Sequence, residues 1–273
     1  MTEVSVETLS ERPELLDHLL TAQQSVVVIR NALPMEIVEA GVTGLSAAEN
    51  NGLWRFPNKG MTGGEIRTIG AAATPTFTAF RGPEPGAYEE SARGQAARVA
   101  QIFGSRHPTP WIESVFSTML NSPNVSPPQF GKDSQWLPYN LRALDPGEQI
   151  YAHHDNHYGL AIYDALDQRF DRRHLLSWFV TLQAPESGGE LVIYGLWGSD
   201  PNPPLLPSRF LDIEVLERDY RRCAVTMAPG DMVIFDSGRH VHRVTPVGGQ
   251  RARYTLGGFL TVDHHRTELA YWS

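Results

Sequence analysis

The sequence predicts a mainly β domain with helices packed outside its β core, on three observations. Past Pro138, short runs rich in β-branched and aromatic residues recur at 139–144, 148–153, 177–182, 190–194, 224–227, 232–236 and 251–262. Turn signals separate them: Asp145-Pro146-Gly147, Gly188-Gly189, Pro229-Gly230-Asp231 and Gly248-Gly249. Many short strands punctuated by Gly and Pro belong to a sandwich or a barrel. The first part of the chain reads differently. Apolar residues fall at helical spacing over 8–20, 35–49, 91–103 and 111–120, with one β-branched strand at 25–30. Residues 51–86, rich in Gly, Pro and Thr, read as loop with short strands. Pro123, Pro127 and Pro128 mark a seam between layers. The expectation is one domain over residues 1–273, with a helix-rich flanking part at 1–138 and most of the β core at 139–273.

Composition narrows the function classes. The 273 residues are 41% hydrophobic and 20% charged, with 24 Gly and 20 Pro, which fits a globular chain and excludes collagen-like or coiled-coil architecture. A single cysteine, Cys223, excludes an internal disulfide framework and a cysteine-rich zinc site. A formal net charge of −8 speaks against nucleic acid as partner. No apolar run approaches the ~20 residues of a membrane span. The N-terminus carries acidic residues where a signal peptide would be basic, so a cytoplasmic location is expected.

The chemistry lies with the histidines. In Tyr151-Ala152-His153-His154-Asp155-Asn156-His157, strand parity puts His153 and Asp155 on one face and His154 on the other. An imidazole and a carboxylate so placed can grip one metal. A second cluster, Gly230-Asp231 through Gly238-Arg239-His240-Val241-His242-Arg243-Val244, offers His242 after a Gly-containing turn. Two histidines and one carboxylate form the facial triad of non-haem Fe(II) sites, leaving three positions open. Further on, Arg253 can bind the far carboxylate of a 2-oxo diacid bidentately, and the hydroxyl of Thr255 shares its strand face.

His153-x-Asp155, His242 and Arg253-x-Thr255 together resemble the Fe(II)/2-oxoglutarate-dependent oxygenases. The likeness is closer still to a subgroup, the welwitindolinone-type alkaloid halogenases and related free-standing small-molecule hydroxylases. Pro185-Glu186-Ser187-Gly188-Gly189-Glu190-Leu191 resembles their mid-barrel hairpin, and Thr255-Leu256-Gly257-Gly258-Phe259-Leu260 with Tyr271-Trp272-Ser273 their closing strand and tail. The resemblance covers residues 139–273 well and the first third poorly. It implies a double-stranded β-helix (jelly roll, cupin-like) with flanking helices, and Fe(II), 2-oxoglutarate and O2 as cofactor and cosubstrates. It also implies a polar cosubstrate contact near Asn140 and Arg142, which share a strand face; an ion pair across the barrel is the alternative role for Arg142. One departure matters most. The halogenases carry Gly or Ala where this chain has Asp155, and the missing carboxylate is what opens a place for chloride. With Asp155 present, hydroxylation is expected.

His153, Asp155 and His242 are the expected ligands: parity disfavours His154, which cannot share a strand face with Asp155, and the resemblance favours His242 over His240 and Arg253 over Arg251. Asn156 and His157 touch substrate or cap a turn. His264 and His265 are expected in solvent, and Trp178, Tyr194 and Trp197 in the core. The insertion at 160–174 is a candidate lid. Arg55, Arg67 and Arg81 read as surface residues that would also suit an acidic substrate. The expected activity is hydroxylation of an unactivated C–H bond in a free small molecule, with succinate and CO2 released. Amino-acid derivatives, nucleosides and natural-product intermediates of secondary metabolism fit this class. Desaturation or cyclisation would use the same chemistry. The rival from another class is a non-catalytic jelly-roll binding protein with a degenerate site, and a macromolecular demethylase is disfavoured by the acidic charge.

Overall fold

In the computed structural model, the described residues are 1–48, 52–54, 66–71, 84–131, 134–155, 161–173 and 175–273. Two sheets pack face to face. The larger runs in the order β1 (Thr2–Ser5), β2 (Val26–Arg30), β11 (Met232–Phe235), β7 (Leu176–Gln183), β14 (Arg253–Val262), β15 (Leu269–Trp272) and β4 (Val125–Ser126). β5 (Asn140–Leu144) joins β14, and β3 (Arg67–Ile69) joins β5. The smaller sheet is β10 (Arg222–Val225), β9 (Leu191–Trp197), β12 (His240–Val244) and β6 (Ile150–His153). A short pair, β8 (Ser187–Gly188) with β13 (Val247–Gly248), closes one end. This is the expected mainly β, jelly-roll arrangement.

Alternation along the strands explains the layers. In β2 and β11, Val26, Val28, Val233 and Phe235 point between the sheets and meet Leu191, Ile193 and Val225 of the smaller one. Their neighbours Val27, Ile29, Met232 and Ile234 point the other way, into a helix-covered core. Strands buried on both faces read as continuous apolar runs, which is why both segments lack polar alternation. The helix layer consists of α1 (Leu15–Leu20), α2 (Met35–Ala48), α3 (Pro85–Phe103) and α4 (Thr109–Leu120). Phe116 of α4 packs edge-on against Trp178 of β7 at 5.2 Å and against Tyr271 of β15 at 5.4 Å. On the outer face of the small sheet, α5 (Ile213–Asp219) covers Val192, Tyr194, Leu196 and Val241 through Leu216.

Several expected elements shift, each for a local reason. The helix expected over 8–20 divides at Pro13 into a 3-10 turn (Val6–Glu11) and α1, because proline has no N–H to carry the helix ladder. The strand expected from 251 starts at Arg253, since the Gln250 N–H is held by the Glu186 carboxylate at 2.8 Å across the Gly249 turn. α3 begins at Pro85, a favoured first-turn proline. β1 and α5 were not anticipated; α5 starts from Asp212, whose carboxylate accepts from the N–H groups of Glu214 and Val215. Strands from the first part of the chain, β1 to β4, are hydrogen-bonded into the large sheet. The described part of the expected lid, 161–173, is anchored in the interior on one side and exposed at Asp164, Asp167, Gln168, Arg169 and Arg173. Ile162 and Tyr163 are fully buried, and Tyr163 accepts from the Trp272 indole at 3.3 Å. No helix among the described residues is long and apolar enough to cross a membrane.

Candidate active site

The inner faces of the two sheets bring the metal-competent residues together. His153 ends β6 and His242 lies directly opposite it on β12. Asp155 follows two residues past β6, where its backbone N–H donates to the Ser237 carbonyl at 2.8 Å. The two imidazole centroids are 4.4 Å apart. The Asp155 Oδ1 is 3.5 Å from His153 Nε2, and its Oδ2 is 3.5 Å from His242 Nε2. One donor atom from each of the three residues lies within 4.8 Å of the others.

The second ring nitrogens test whether this set fits a metal. His153 Nδ1 is 2.7 Å from the Tyr151 carbonyl, and His242 Nδ1 is 3.0 Å from the His240 carbonyl. A carbonyl can only accept, so each Nδ1 carries the proton and each Nε2 turns a lone pair toward Asp155. That is how metal-binding histidines are oriented. A metal held by two neutral nitrogens and one carboxylate fits these donors.

The electrostatics of the two rings differ. Burial opposes charge on His153, but the hydrogen bond and charge of Asp155 outweigh it and hold its pKa above the ordinary value. His242 is pushed down to about 4 by burial, with the charge of His153 adding to the effect.

Beside the triad the inner face of the large sheet carries a group of cationic and hydroxyl side chains. Arg253 and Thr255 share the inner face of β14, and Asn140 and Arg142 that of β5; Thr255 stands opposite Arg142. Arg253 is buried, with its guanidinium 4.8 Å above the Phe179 ring. Burial, with the nearby charge of Arg142, lowers its pKa to about 10. Arg142 is also depressed by burial, against the attraction of Asp155. Among the described residues no carboxylate forms an ion pair with either arginine, so the cross-barrel pair considered for Arg142 is not seen among them. A buried and a half-buried cation with no ion pair to a carboxylate among the described residues are a fit for a small dianion. Gly189 makes room for Arg253: with φ of +66°, it lies so close that an added Cβ would stand 3.1 Å from the Arg253 Cδ.

The neighbouring candidates go elsewhere. His154 packs against Gly198. His240 is buried, its Nε2 3.1 Å from the Ser25 hydroxyl and its Nδ1 3.2 Å from the Tyr194 carbonyl. Arg251 is exposed in the bend before β14. His264 and His265 are exposed, and Trp178 and Tyr194 are core. Trp197 is not; it is 49% exposed. Arg67 is half-buried on the face of β3 opposite to the site, paired with Asp145 at 2.5 Å and stacked over Trp54. Arg55, Arg81, Asn156, His157 and the lid ends at 160 and 174 lie outside the described residues.

Sequence reasoning missed three inner-face residues of β7: Ser177, Phe179 and Thr181. Ser177 donates to Asp155 at 2.9 Å, Phe179 floors Arg253, and Thr181 stands opposite Thr255 with its buried hydroxyl unpartnered among the described residues. The available signal was parity, since all three alternate with the core residues Trp178 and Val180.

A family model described as carrier-protein-independent halogenase WelO5 matches residues 1–273. The chain belongs to this family. The match extends through the first third, where the sequence resemblance was poor. A comparison with curated proteins finds no match. Among solved structures, an N-substituted L-amino acid dioxygenase from Burkholderia ambifaria AMMD is similar, with a TM-score of 0.54 at 17% identity over 96% of this chain and 91% of that one. The epimerase SnoN from nogalamycin biosynthesis, in complex with Fe3+, alpha ketoglutarate and nogalamycin RO, has a TM-score of 0.52 at 13% identity, covering 96% and 87%. At these identities the likeness is one of fold. The halogenase family therefore has in this member a jelly roll with a carboxylate between its two inner histidines.

Proposed function

We propose that this protein is an Fe(II)- and 2-oxoglutarate-dependent oxygenase that hydroxylates an unactivated C–H bond of a free small molecule. The observation that carries the reading is the buried Asp155 carboxylate, 3.5 Å from both His153 Nε2 and His242 Nε2. His153, Asp155 and His242 would hold the iron. Bound iron with 2-oxoglutarate and O2 supplies the oxidising chemistry, releasing succinate and CO2. The chain's own residues then have separable tasks. The Tyr151 and His240 carbonyls keep both imidazoles in the ligating tautomer. Arg253 and Thr255 take the far carboxylate of 2-oxoglutarate, and Phe179 shields that contact from water. Arg142 and Asn140 line the inner face toward Asp155 and add positive charge and an amide for the cosubstrate.

Halogenation is the second reading, favoured by the family the chain belongs to. It requires a halide at iron in the place where Asp155 stands, and two anions do not share one coordination position. Anaerobic Fe(II) titration followed by a succinate assay tests the primary reading. One equivalent of iron should bind, be lost in His153→Ala and His242→Ala, and support succinate formation from 2-oxoglutarate. Iron binding retained by both variants, or no succinate from the iron-loaded protein with any candidate substrate, contradicts it and favours a non-catalytic binding protein.

A further inference from the structure

The Asp155 side chain is only 10% exposed, so its orientation depends on the donors that reach it. Ser177 is the first inward residue of β7 and is held on both sides, opposite Phe235 of β11 and Phe259 of β14. Its Oγ lies 2.9 Å from Asp155 Oδ2 and 2.7 Å from the Oγ of Ser237, which is fully buried. The Ser237 Oγ also lies 3.3 Å from the Leu175 carbonyl. Each hydroxyl has one proton to give. An ionised carboxylate only accepts, so the Ser177 proton goes to Asp155. Ser237 then gives its proton over the shorter 2.7 Å contact to Ser177. The result is a directed chain, Ser237 to Ser177 to Asp155. Ser237 also grips Asp155 from behind, since its carbonyl accepts the Asp155 N–H at 2.8 Å.

We propose that Ser177, with Ser237 behind it, is a positioning residue that fixes the Asp155 carboxylate as the third metal ligand. This rests on the reading of the triad as a metal site. The backbone contact sets where Asp155 stands, and the hydroxyl chain sets the rotation of its carboxyl group, so that the oxygens face the two Nε2 atoms. Without that chain the carboxylate keeps its place in the fold but loses a contact that aims it. Outer partners of metal ligands typically change metal affinity by roughly 10–100-fold when removed.

Anaerobic Co(II) titration, read by the visible absorption of the bound ion, tests this without turnover. Wild type should bind one Co(II), and Asp155→Ala should weaken binding and change the spectrum. Ser177→Ala should lower affinity by about 10–100-fold and alter the visible bands. Ser177→Thr, which keeps the hydroxyl, should restore both, and Ser237→Ala should fall between. Wild-type affinity and bands in Ser177→Ala overturn the proposal, because a merely structural serine would change melting temperature and leave the bands unmoved. If Ser177→Ala does not fold, Ser237→Ala decides by the same criterion. Co(II) binding that is absent in wild type, or unaffected by Asp155→Ala, sinks the metal reading itself.

Discussion

Arg253 and Arg251 are two residues apart and have the same parity, yet only Arg253 faces the site. The Glu186 carboxylate and the Gly249 turn keep Arg251 in a solvent-exposed bend. Arg253→Ala should therefore weaken 2-oxoglutarate binding to the Mn(II)-loaded protein by about 2–5 kcal/mol, the cost of truncating a buried charged contact. Arg251→Ala should change it by no more than about 0.5 kcal/mol, as for an ordinary surface residue; calorimetry compares the two. The imidazoles make a second prediction, for metal-free protein. The depressed pKa of His242 means that the unfolded chain binds more protons than the folded one between the ordinary histidine value of 6.5 and about 4. Stability from this group is present above 6.5 and is lost as pH falls through that window. His153 has the opposite sign: its raised pKa gives stability below 6.5 that is lost as pH rises through the folded value. Melting temperature should fall on both sides, and His242→Asn should flatten the acid limb alone. An unchanged acid limb in that variant would contradict the assignment.

At the scale of elements, β14 joins the strands that carry the site, because it pairs with β7 on one edge and with both β5 and β15 on the other. Its middle must lie close to β7: a Cβ on Gly257 would stand 2.4 Å from the Trp178 carbonyl oxygen. Gly257→Ala forces the strands apart there, and urea melts should show a loss of about 1–3 kcal/mol, the usual cost of overpacking. A neutral effect would mean that β14 and β7 are not held in this register. Much of this element was legible in advance. The β-branched run and the Gly-Gly signals mark β14 and its preceding turn, and His-x-Asp parity brings His153 and Asp155 to one face. Ser177 and Thr181 were not legible, because serine and threonine in an otherwise apolar strand look the same whether they face a pocket or a sheet neighbour. β1 was missed for a different reason. Four residues that join the edge of β2 in parallel carry no alternation long enough to read.

For the whole molecule, the jelly roll places its donors on two sheets that face each other, and the helix layer packs on the far side of the large sheet. Family membership is shared with halogenating relatives; on the proposed reading, the reaction outcome turns on one carboxylate and what holds it. Asp155→Gly should open the position. Halide should then enter, and hydroxylation should collapse; slow chlorination is the most that can follow, since transfer also depends on where the substrate's reacting carbon sits. The wild-type protein provides the decisive comparison. Crystals loaded anaerobically with Fe(II) and 2-oxoglutarate and soaked in bromide can be measured at the bromine absorption edge. The account predicts an Asp155 oxygen bound to iron and no anomalous bromine peak beside it, with such a peak appearing in Asp155→Gly. Bromide bound to iron in the wild-type crystal, with Asp155 turned away, would contradict it.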